Sequence, residues 1–453
     1  MSRRPIIHTE LPGPRATAVI EASKQFVSSS YTRDYPLVAE RGEGCWIIDP
    51  DGNEFLDMTS GIAVTATGHC HPEVVQAISD QAGKLVHMSG TDFYYPTQAK
   101  LAAALCPRTP TKGGDTRVYF GNSGAESLEA AIKLARWKTG RPNFVSFFYA
   151  FHGRTMGALA LTGSKYIQKK GFGPMLSGFF HTTYPDPYRM GGDQNAAASA
   201  LADLDRLFDT TCPPTDVAAI VIEPIQGEGG YIVPPDSFLV ELRALCDKHG
   251  ILLVFDEVQS GMGRTGKLWA YEHTGVLPDI VCSAKGIASG LPLCATFASG
   301  EVMQWPPGAH ASTFGGNPVA CAAALKTLEL LDRELMANAT DVGAHLIREL
   351  VSRTSRHTNV GQIRGRGLMV GVEIVRDRAG KDRAKALRND IVHECFRRGL
   401  LILGCGPNTV RFAPALTLTR SEASTAAELF AAVLDGLTSF DDATVTISRS
   451  GKT

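Results

Sequence analysis

Short runs of apolar, β-branched residues recur through the middle of the chain and predict buried strands. Five such runs are Arg117–Phe120, Asn143–Phe148, Ala218–Pro224, Ile251–Glu257 and Asp279–Ala284. Two stretches with a helical spacing of apolar residues, Ala125–Lys138 and Asp236–Gly250, lie between some of these runs. Continuous apolar strands that alternate with helices are typical of a mostly parallel sheet covered by helices. We therefore predict an α/β fold with its ligand at the carboxyl ends of the strands.

The pattern changes after about residue 330 and predicts a second, smaller α+β domain. Strand-like runs at 360–375, 400–404 and 409–414 surround a helix expected over Ala384–Arg398. A final helix opens with Thr419 and Glu422, which have the spacing of a capping box, and continues in an apolar stripe.

The N-terminal stretch 44–58 predicts a hairpin that turns at Asp51 and Gly52. We expect residues 1–75 to form a segment that packs with the smaller domain. Residues 76–330 then form the large domain, and residues 331–453 form the small one.

Composition and charge exclude several classes of protein. Hydrophobic residues make up 44% of the 453 residues and charged residues 20%, with a net charge of −1, so no basic surplus indicates nucleic acid or an anionic membrane. The apolar runs are too short to cross a bilayer, and the N-terminus lacks the apolar segment of a secretory signal. The ten cysteines include no C-x-x-C pair, which favours buried thiols in a reducing cytoplasm over disulfides or a metal site.

The stretch Phe255–Leu268 contains the glycine spacing G-x-G-x-x-G and nearly matches a Walker A loop. A dinucleotide loop needs its first glycine at the turn from strand to helix, but five residues separate the apolar run from Gly261. A Walker A loop needs Ser or Thr after Lys267, where this chain has Leu268. Both nucleotide interpretations fail on this context, and we predict a glycine-rich surface loop.

A better phosphate site lies upstream, between the strand that ends near Phe120 and the helix that follows. Ser123 and Glu126 have capping-box spacing, so the helix begins there with unpaired N–H groups and the positive end of its dipole. Gly124 and Ala125 leave room for an anion to approach the backbone. An ordinary capped helix is the alternative, and the loop by itself does not decide between the two.

Lys285 and Asp256 each follow an apolar run and are expected at the same edge of the sheet. A lysine among small, apolar neighbours suits Schiff-base chemistry, although an isolated lysine more often reaches solvent. A carboxylate at a strand end is costly unless it meets a cation or hydrogen-bond donors. A phosphate-binding helix start, a strand-end lysine and a buried aspartate are together what pyridoxal 5′-phosphate (PLP) requires.

With these residues in place, the chain resembles the class III (ω-) aminotransferases of the PLP fold-type I superfamily over nearly its whole length. The motifs that carry the resemblance stand in the family's order: NSGAESLEAAIKLAR, AFHGRT, IEPIQGEGG, LVFDEVQSGMGRTG, SAKGIASGLPL and STFGGNP. Six motifs in register are far more specific than any one of them. The resemblance implies a large domain that binds PLP and a smaller α+β domain.

The resemblance also implies roles for residues at the cofactor. Lys285 forms the imine with PLP and moves the proton, and Asp256 pairs with the pyridine nitrogen. The cofactor contacts implied by the motifs are the phosphate-binding Gly124 and Ala125, the ring-facing Phe151 and Val258, His152 in the same motif as Phe151, and Gln259 at the phenolic oxygen. Thr313 matches a phosphate contact given by a neighbouring subunit, which implies a homodimer with shared active sites.

Substrate contacts follow from the same resemblance. Arg154 matches the residue that takes a distal carboxylate, and Arg411 matches the arginine that takes the α-carboxylate. Glu228 resembles a gate that pairs with that arginine when no α-carboxylate is present, whereas Glu223 is assigned to a structural or ring-supporting role. Ile62 stands where ornithine-type relatives tend to carry tyrosine.

The implied reaction is a ping-pong transfer of an amino group from a small-molecule donor to a 2-oxo acid, most simply 2-oxoglutarate. The apolar Ile62 suits 4-aminobutyrate or N-acetylornithine, and 4-aminobutyrate is the predicted donor. Two alternatives stay open at this point: an amino-acid racemase of the same family, and an acetylornithine- or ornithine-type aminotransferase.

Overall fold

A computed structural model of the chain describes residues 3–437 and the backbone of residues 446–447. The chain forms two compact units. The large unit spans Pro72–Met336, and the small unit combines Met1–His71 with Ala337–Thr453.

The described residues contain the following α-helices and strands. The α-helices are α1 (Pro14–Phe26), α2 (Ser60–Ala63), α3 (Pro72–Ala82), α4 (Pro96–Leu105), α5 (Gly124–Thr139), α6 (Met156–Leu161), α7 (Asp193–Thr210), α8 (Asp236–His249), α9 (Pro318–Leu330), α10 (Met336–Thr354), α11 (Lys385–Arg397) and α12 (Arg420–Leu437). The strands are β1 (Arg41–Glu43), β2 (Trp46–Ile48), β3 (Glu54–Asp57), β4 (Thr116–Gly121), β5 (Asn143–Phe147), β6 (Phe179–Thr182), β7 (Val217–Ile222), β8 (Leu252–Asp256), β9 (Ile280–Ser283), β10 (Cys294–Ser299), β11 (Val360–Arg366), β12 (Met369–Ile374), β13 (Leu400–Leu401), β14 (Leu403–Cys405), β15 (Thr409–Phe412) and β16 (Thr446–Ile447). Single turns of 3₁₀-helix include Ala270–His273 and Lys285–Ala288.

The large unit is built on a seven-stranded sheet, counted over the described residues, in the order β4-β10-β9-β8-β7-β5-β6. Neighbours from β9 through β6 run parallel, and β10 is antiparallel to both β4 and β9. The predicted α/β fold with a mostly parallel sheet is therefore confirmed. The sequence pattern missed β10, because its alanine, cysteine and serine residues give little hydrophobic signal.

Helix α5 covers one face of this sheet and is fixed there by a buried apolar cluster. The cluster joins Leu128, Ala131 and Leu134 of α5 to Val221, Val254 and Ile280 of the central strands. Full burial of a leucine, valine or isoleucine side chain contributes about 1.5–3 kcal/mol, so this cluster holds α5 firmly against the sheet.

The carboxyl edge of the large sheet is the edge at which β4, β8 and β9 end. Asp256, the last residue of β8, pairs in register with Cys282 of β9. Gly121, the last residue of β4, pairs with Cys294 at the start of β10. The residues that follow these three strands are therefore brought to one edge, as the sequence predicts.

The small unit contains the predicted N-terminal hairpin. Strands β2 and β3 pair antiparallel, and the amide of Gly52 donates to the carbonyl of Asp49 at 3.1 Å to close the turn. Strand β3 also pairs with β13, with Leu56 opposite Leu400, so the two separate stretches of the small unit share one sheet. A second sheet has the order β14-β15-β12-β11-β16.

The capping box predicted for the last helix is confirmed. The amide of Glu422 donates to Thr419 Oγ1 at 3.2 Å, and the amide of Thr419 donates to Glu422 Oε2 at 2.9 Å. The other carboxylate oxygen of Glu422 accepts from Trp46 Nε1 at 2.7 Å, which ties the start of α12 to the hairpin.

The described residues contain neither a helix that could cross a membrane nor a disulfide. None of the helices there combines the length and apolar character that crossing a bilayer requires. All ten cysteines are free thiols, and eight of them are buried. Cys282, on β9 next to Asp256 of β8, is one of the buried thiols.

Candidate active site

Asp256 and His152 form a buried pair at the carboxyl edge. His152 Nδ1 lies 2.7 Å from Asp256 Oδ2, and both side chains are almost completely buried. The other carboxylate oxygen, Oδ1, accepts a hydrogen bond from the amide of Val258 at 2.9 Å. Burial lowers the pKa of His152, but the hydrogen bond and charge of Asp256 outweigh it, so the pKa is raised above its ordinary value. The aspartate is thus held in a fixed orientation by the His152 ring and the Val258 amide.

Glu223 lies beside this pair, just after β7. Its Oε1 accepts from the amide of Gly227 at 3.1 Å, whereas its buried Oε2 has no hydrogen-bond partner among the described residues. Burial raises the pKa of Glu223 to about 7; the charge of His152 acts in the opposite direction, and that of Asp256 adds to the increase. The Nε2 atom of His152 is also buried and lacks a partner within residues 3–437. Two polar atoms at this edge are thus left for a ligand or water.

Lys285 follows β9 and opens a single 3₁₀ turn. Its φ of +41° is in the left-handed region, which is unfavourable for a residue with a side chain, and it is partly buried. Cys282, three residues before Lys285, pairs in register with Asp256 on the neighbouring strand β8. The structure therefore brings Lys285, Asp256 and His152 to one edge of the sheet.

The start of α5 has the cap that the sequence predicts, with one difference. The amide of Glu126 donates to Ser123 Oγ at 3.3 Å, which is one half of a capping box. The Glu126 carboxylate accepts from the amide of Asn122 at 2.7 Å and from the side-chain nitrogen of Asn122 at 2.9 Å. The glutamate thus fixes the loop one residue ahead of the cap, which leaves the first turn of α5 for an anion.

Gly124 brings this first turn against Val258, two residues after Asp256. A Cβ at Gly124 would lie 2.8 Å from Val258 Cγ1 and 3.1 Å from Cγ2. The absence of a side chain therefore lets the start of α5 pack directly against the end of β8.

Replacing Gly124 with alanine is expected to lower the free energy of unfolding by about 1–3 kcal/mol, because the added methyl group overpacks this contact. Val258→Ala in the same chain removes both clashing carbons and is expected to restore most of that loss. Urea denaturation of the two single variants, the double variant and the parent measures the coupling. If the double variant loses as much free energy of unfolding as the two single variants together, the contact is contradicted.

The glycine loop after β8 corrects one prediction, because it is not a surface loop. Gly261, Met262, Gly263, Arg264 and Thr265 are all buried, although Lys267 is exposed. A Cβ at Gly261 would lie 2.9 Å from the ring of Trp269 and 2.7 Å from the carbonyl oxygen of Glu257. The glycines therefore allow the loop to pack beneath a buried tryptophan, which the glycine spacing did not reveal.

Glu257 organises this loop from within. Its carboxylate accepts from Ser260 Oγ at 2.5 Å and from the amide of Tyr271 at 2.9 Å, and it is 1% exposed. Burial raises its pKa to about 7 despite these hydrogen bonds. No role was assigned to Glu257 from the sequence. Its position directly after Asp256, as a second acidic residue at the end of an apolar run, is the signal that could have identified it.

Glu257→Gln is expected to change how stability depends on pH. A carboxyl whose pKa rises from 4.5 to about 7 on folding favours the folded state at low pH, and this contribution is lost as the pH rises from about 4.5 to 7. The glutamine variant lacks this loss and should be more stable than the parent at pH 8 by up to about 3 kcal/mol. Urea denaturation between pH 5 and pH 8 measures it, with the exposed Glu301→Gln as control. Parallel stability curves for parent and variant would contradict the prediction.

The other residues predicted at the cofactor gather around the same edge, with one exception. A Cβ at Gly153 would lie 2.7 Å from that of Ala125, so the loop with Phe151 and His152 packs on the start of α5. Gln259 is buried and accepts from the hydroxyl of Tyr231 at 2.8 Å. Thr313 is the exception, because it is exposed on the large unit.

The predicted substrate residues fall in both units. Arg154 is exposed, with its guanidinium carbon 5.8 Å from the centroid of the Phe151 ring, and Glu228 is partly buried. Both belong to the large unit. Arg411 lies in the small unit, on β15, and is 6% exposed; Ile62 also lies there, with a φ of +69° and 42% exposure.

Comparison with known proteins places this arrangement in a family. The family model Aminotransferase class-III matches residues 27–434. The chain is 43% identical to an acetylornithine aminotransferase of Methanopyrus kandleri, over 80% of this chain and 86% of that protein. It is 37% identical to an alanine/serine racemase of Pyrococcus horikoshii, over 96% of this chain and 94% of that protein. It is also 37% identical to the 4-aminobutyrate aminotransferase GabT of Escherichia coli, over 92% of this chain and 98% of that protein.

Solved structures agree with the sequence relatives. An (S)-enantioselective omega-transaminase from Thermomicrobium roseum superimposes with a TM-score of 0.86 at 36% identity. The match covers 93% of this chain and 98% of the transaminase.

Proposed function

The chain belongs to the class-III aminotransferase family, and from this premise we propose that it transfers the amino group of 4-aminobutyrate to 2-oxoglutarate. That it is a PLP-dependent transaminase follows from the family and from its structural neighbours. The donor and acceptor are the finer part of the proposal. The observation that carries the chemistry is the grouping of Lys285, Asp256 and His152 at one sheet edge.

The residues of the site fit PLP. The helix start at Gly124 offers backbone N–H groups for a phosphate, and its first two residues, Gly124 and Ala125, are small. The Asp256 carboxylate supplies the negative charge that a cationic pyridine nitrogen requires, and Lys285 supplies an amine. The unpaired, buried Nε2 of His152 is a further polar atom that a bound group could satisfy.

When bound, PLP supplies an aldehyde carbon for the amino nitrogen and a ring that takes up the electron pair left at the substrate carbon. We assign to Lys285 the amine that holds the cofactor and then moves a proton at the substrate carbon. Asp256 keeps a fixed negative charge for the ring nitrogen, because the His152 ring and the Val258 amide orient both of its oxygens. The first turn of α5, at Gly124 and Ala125, holds the phosphate.

The two arginines and Glu228 support the choice of substrates. A guanidinium matches a carboxylate in a bidentate manner, so Arg154 is assigned to the carboxylate of 4-aminobutyrate and Arg411 to the α-carboxylate of 2-oxoglutarate. Glu228 is assigned to substrate binding in the large unit, as its family motif implies. The apolar Ile62 supports a donor without a second amine.

Two further proposals concern assembly and compartment. The exposure of Thr313 is compatible with a contact to the phosphate site of a second copy, so we propose a homodimer with shared active sites. The free thiols support a reducing cytoplasm.

Arg154→Met is expected to raise the KM for 4-aminobutyrate by about ten- to a hundredfold, since it removes a charge-assisted pair with the donor carboxylate. The KM for 2-oxoglutarate, which also has a distal carboxylate, should rise as well, whereas the KM for pyruvate, an acceptor without a distal carboxylate, should change much less. Steady-state kinetics with each substrate varied in turn measures these constants, with Arg136→Met, on the far part of α5, as control. Unchanged KM values for both 4-aminobutyrate and 2-oxoglutarate, or an equal rise for pyruvate, would contradict the assignment.

The donor is tested by glutamate formation from 2-oxoglutarate by the PLP-loaded protein. 4-Aminobutyrate, N-acetylornithine and 5-aminovalerate are compared, and 4-aminobutyrate is expected to have the highest kcat/KM. A tenfold preference for N-acetylornithine would replace the proposed donor with that of the acetylornithine relative.

Racemisation is the second candidate, because a relative that covers 96% of this chain is an alanine/serine racemase. It predicts loss of optical activity of L-alanine or L-serine without any 2-oxo acid. Polarimetry on the same preparation separates it from amino transfer, for which a 2-oxo acid is indispensable to turnover.

A further inference from the structure

Tyr231 is a completely buried tyrosine beside the candidate site, in a loop that follows β7. The loop is closed by two hydrogen bonds between Gln226 and Ile232, of 3.0 and 3.1 Å. Within it, the amide of Tyr231 donates to the carbonyl of Gly227 at 3.2 Å, and Tyr231 adopts a φ of +53°. A side chain in this left-handed conformation costs free energy, so contacts of the tyrosine must offset the strain.

The hydroxyl of Tyr231 reaches the side chain of Gln259. It donates to Gln259 Oε1 at 2.8 Å, and both side chains are buried. A buried hydroxyl is stable only when its proton has an acceptor, and the carboxamide oxygen is that acceptor. The amide nitrogen of Gln259 packs close to Gly227, since a Cβ added at that glycine would lie 2.5 Å from Nε2. The carboxamide is therefore fixed in one of its two orientations.

This orientation decides what Gln259 can offer a ligand. With Oε1 bound to the tyrosine, the group left for a ligand is the NH₂, which is a donor only. A phenolate oxygen is an acceptor only and matches that donor. In the reversed orientation, the carboxamide oxygen would face the phenolate and repel it.

We propose that Tyr231 is a positioning residue, which orients Gln259 so that its NH₂ donates to the phenolic oxygen of PLP. The inference rests on the proposed role of Gln259 at the cofactor. Tyr231 itself acts through Gln259 and through the fixed loop that carries both Tyr231 and Gly227.

The test is cofactor selectivity, measured as the ratio of two dissociation constants. One ligand is PLP, and the other is 3-deoxypyridoxal 5′-phosphate, in which hydrogen replaces the phenolic hydroxyl. The parent protein should prefer PLP, and Tyr231→Phe should reduce that preference about tenfold, because it releases the carboxamide from its orientation. Gln259→Ala should reduce it at least as much. Equilibrium titration of the apoprotein by absorbance measures both constants without any amino donor.

Tyr184→Phe is the matched control. Tyr184 is also buried in the large unit, and its hydroxyl donates to the carbonyl of Glu223 at 3.0 Å rather than to Gln259. Loss of the Tyr184 hydroxyl should leave the ratio of the two dissociation constants within twofold of the parent value.

Several outcomes would overturn the inference. If Tyr231→Phe weakens both ligands equally, the tyrosine is only structural and the inference is wrong. If Gln259→Ala lowers the ratio and Tyr231→Phe does not, the role of Gln259 stands and that of Tyr231 is wrong. If neither lowers it, both roles are wrong, whichever donor the enzyme uses.

A second variant keeps the test decisive if Tyr231→Phe does not fold. Gly227→Ala retains the tyrosine but places a methyl group against Nε2 of Gln259, and it should lower the ratio in the same direction. A parent-like ratio in Gly227→Ala would count against the inference.

Discussion

Lys285→Ala is expected to reduce kcat/KM for amino transfer by at least about 10⁴-fold, because it removes the amine that we propose holds the cofactor and moves the proton. Since Lys285 occupies a left-handed turn at the end of β9, the substitution should not lower stability by itself. Glutamate formation under steady-state conditions measures the loss, and thermal unfolding checks the fold.

Two controls make the result specific to this lysine. Lys267→Ala changes an exposed lysine in the glycine loop and should retain the parent rate. Added methylamine should restore part of the activity of Lys285→Ala, because a free amine can replace the missing proton acceptor. A rate within tenfold of the parent for Lys285→Ala would contradict the central assignment.

Asp256→Asn is expected to reduce kcat by about 10²–10⁴-fold, since it removes the fixed charge but keeps the shape of the side chain. The same change should lower the pKa of His152. Burial lowers that pKa in the native protein, and the hydrogen bond and charge of Asp256 are what raise it. Kinetics measures the first effect, and NMR titration of the His152 ring measures the second.

The sign of the pH effect follows from the raised pKa. A histidine whose pKa rises on folding stabilises the native state below its unfolded pKa, and this stabilisation is lost as the pH rises through the folded value. Asp256→Asn should therefore destabilise the protein most at acidic pH, and less as His152 loses its proton in the parent.

Asp279→Asn is the control for a buried carboxylate elsewhere in the same sheet. Asp279 lies at the opposite end of β9, where it pairs with Arg243 Nη1 at 2.7 Å and accepts from the amide of Leu253 at 2.7 Å. Its loss should lower stability but leave kcat and the pKa of His152 near the parent values. If Asp279→Asn lowered kcat as much as Asp256→Asn, the effect would be one of folding and not of chemistry.

Several parts of the site could be predicted because their signal is local. Each of the strands that end near Asp256 and Lys285 is a continuous apolar run, and the first polar residue after such a run lies at the sheet edge. The start of α5 carries its own cap at Ser123, which is a short-range signal as well. Strand β10 lacks such a signal, since its small residues are buried without being strongly apolar.

Local sequence patterns could not predict contacts between residues that lie far apart in the sequence. His152 and Asp256 are 104 residues apart and meet only when β8 and the loop after β5 are in place. Tyr231 and Gln259 are 28 residues apart, and nothing in either motif indicates a hydrogen bond between them. The glycine loop is buried because it packs against Trp269 and Glu257. Its glycine-rich sequence alone predicts a loop on the surface.

The amino-acid sequence by itself determined which residues end strands and begin helices, because apolar runs, capping pairs and glycines act on their immediate neighbours. It thereby fixed the candidate lysine, aspartate and phosphate-binding turn. The tertiary structure decided how these groups are oriented and charged: the hydrogen bonds to Asp256, the raised pKa of Glu223 and the orientation of Gln259 all arise from burial against distant chain segments. Hydrogen bonds and desolvation depend on distances in space, and only folding sets those distances.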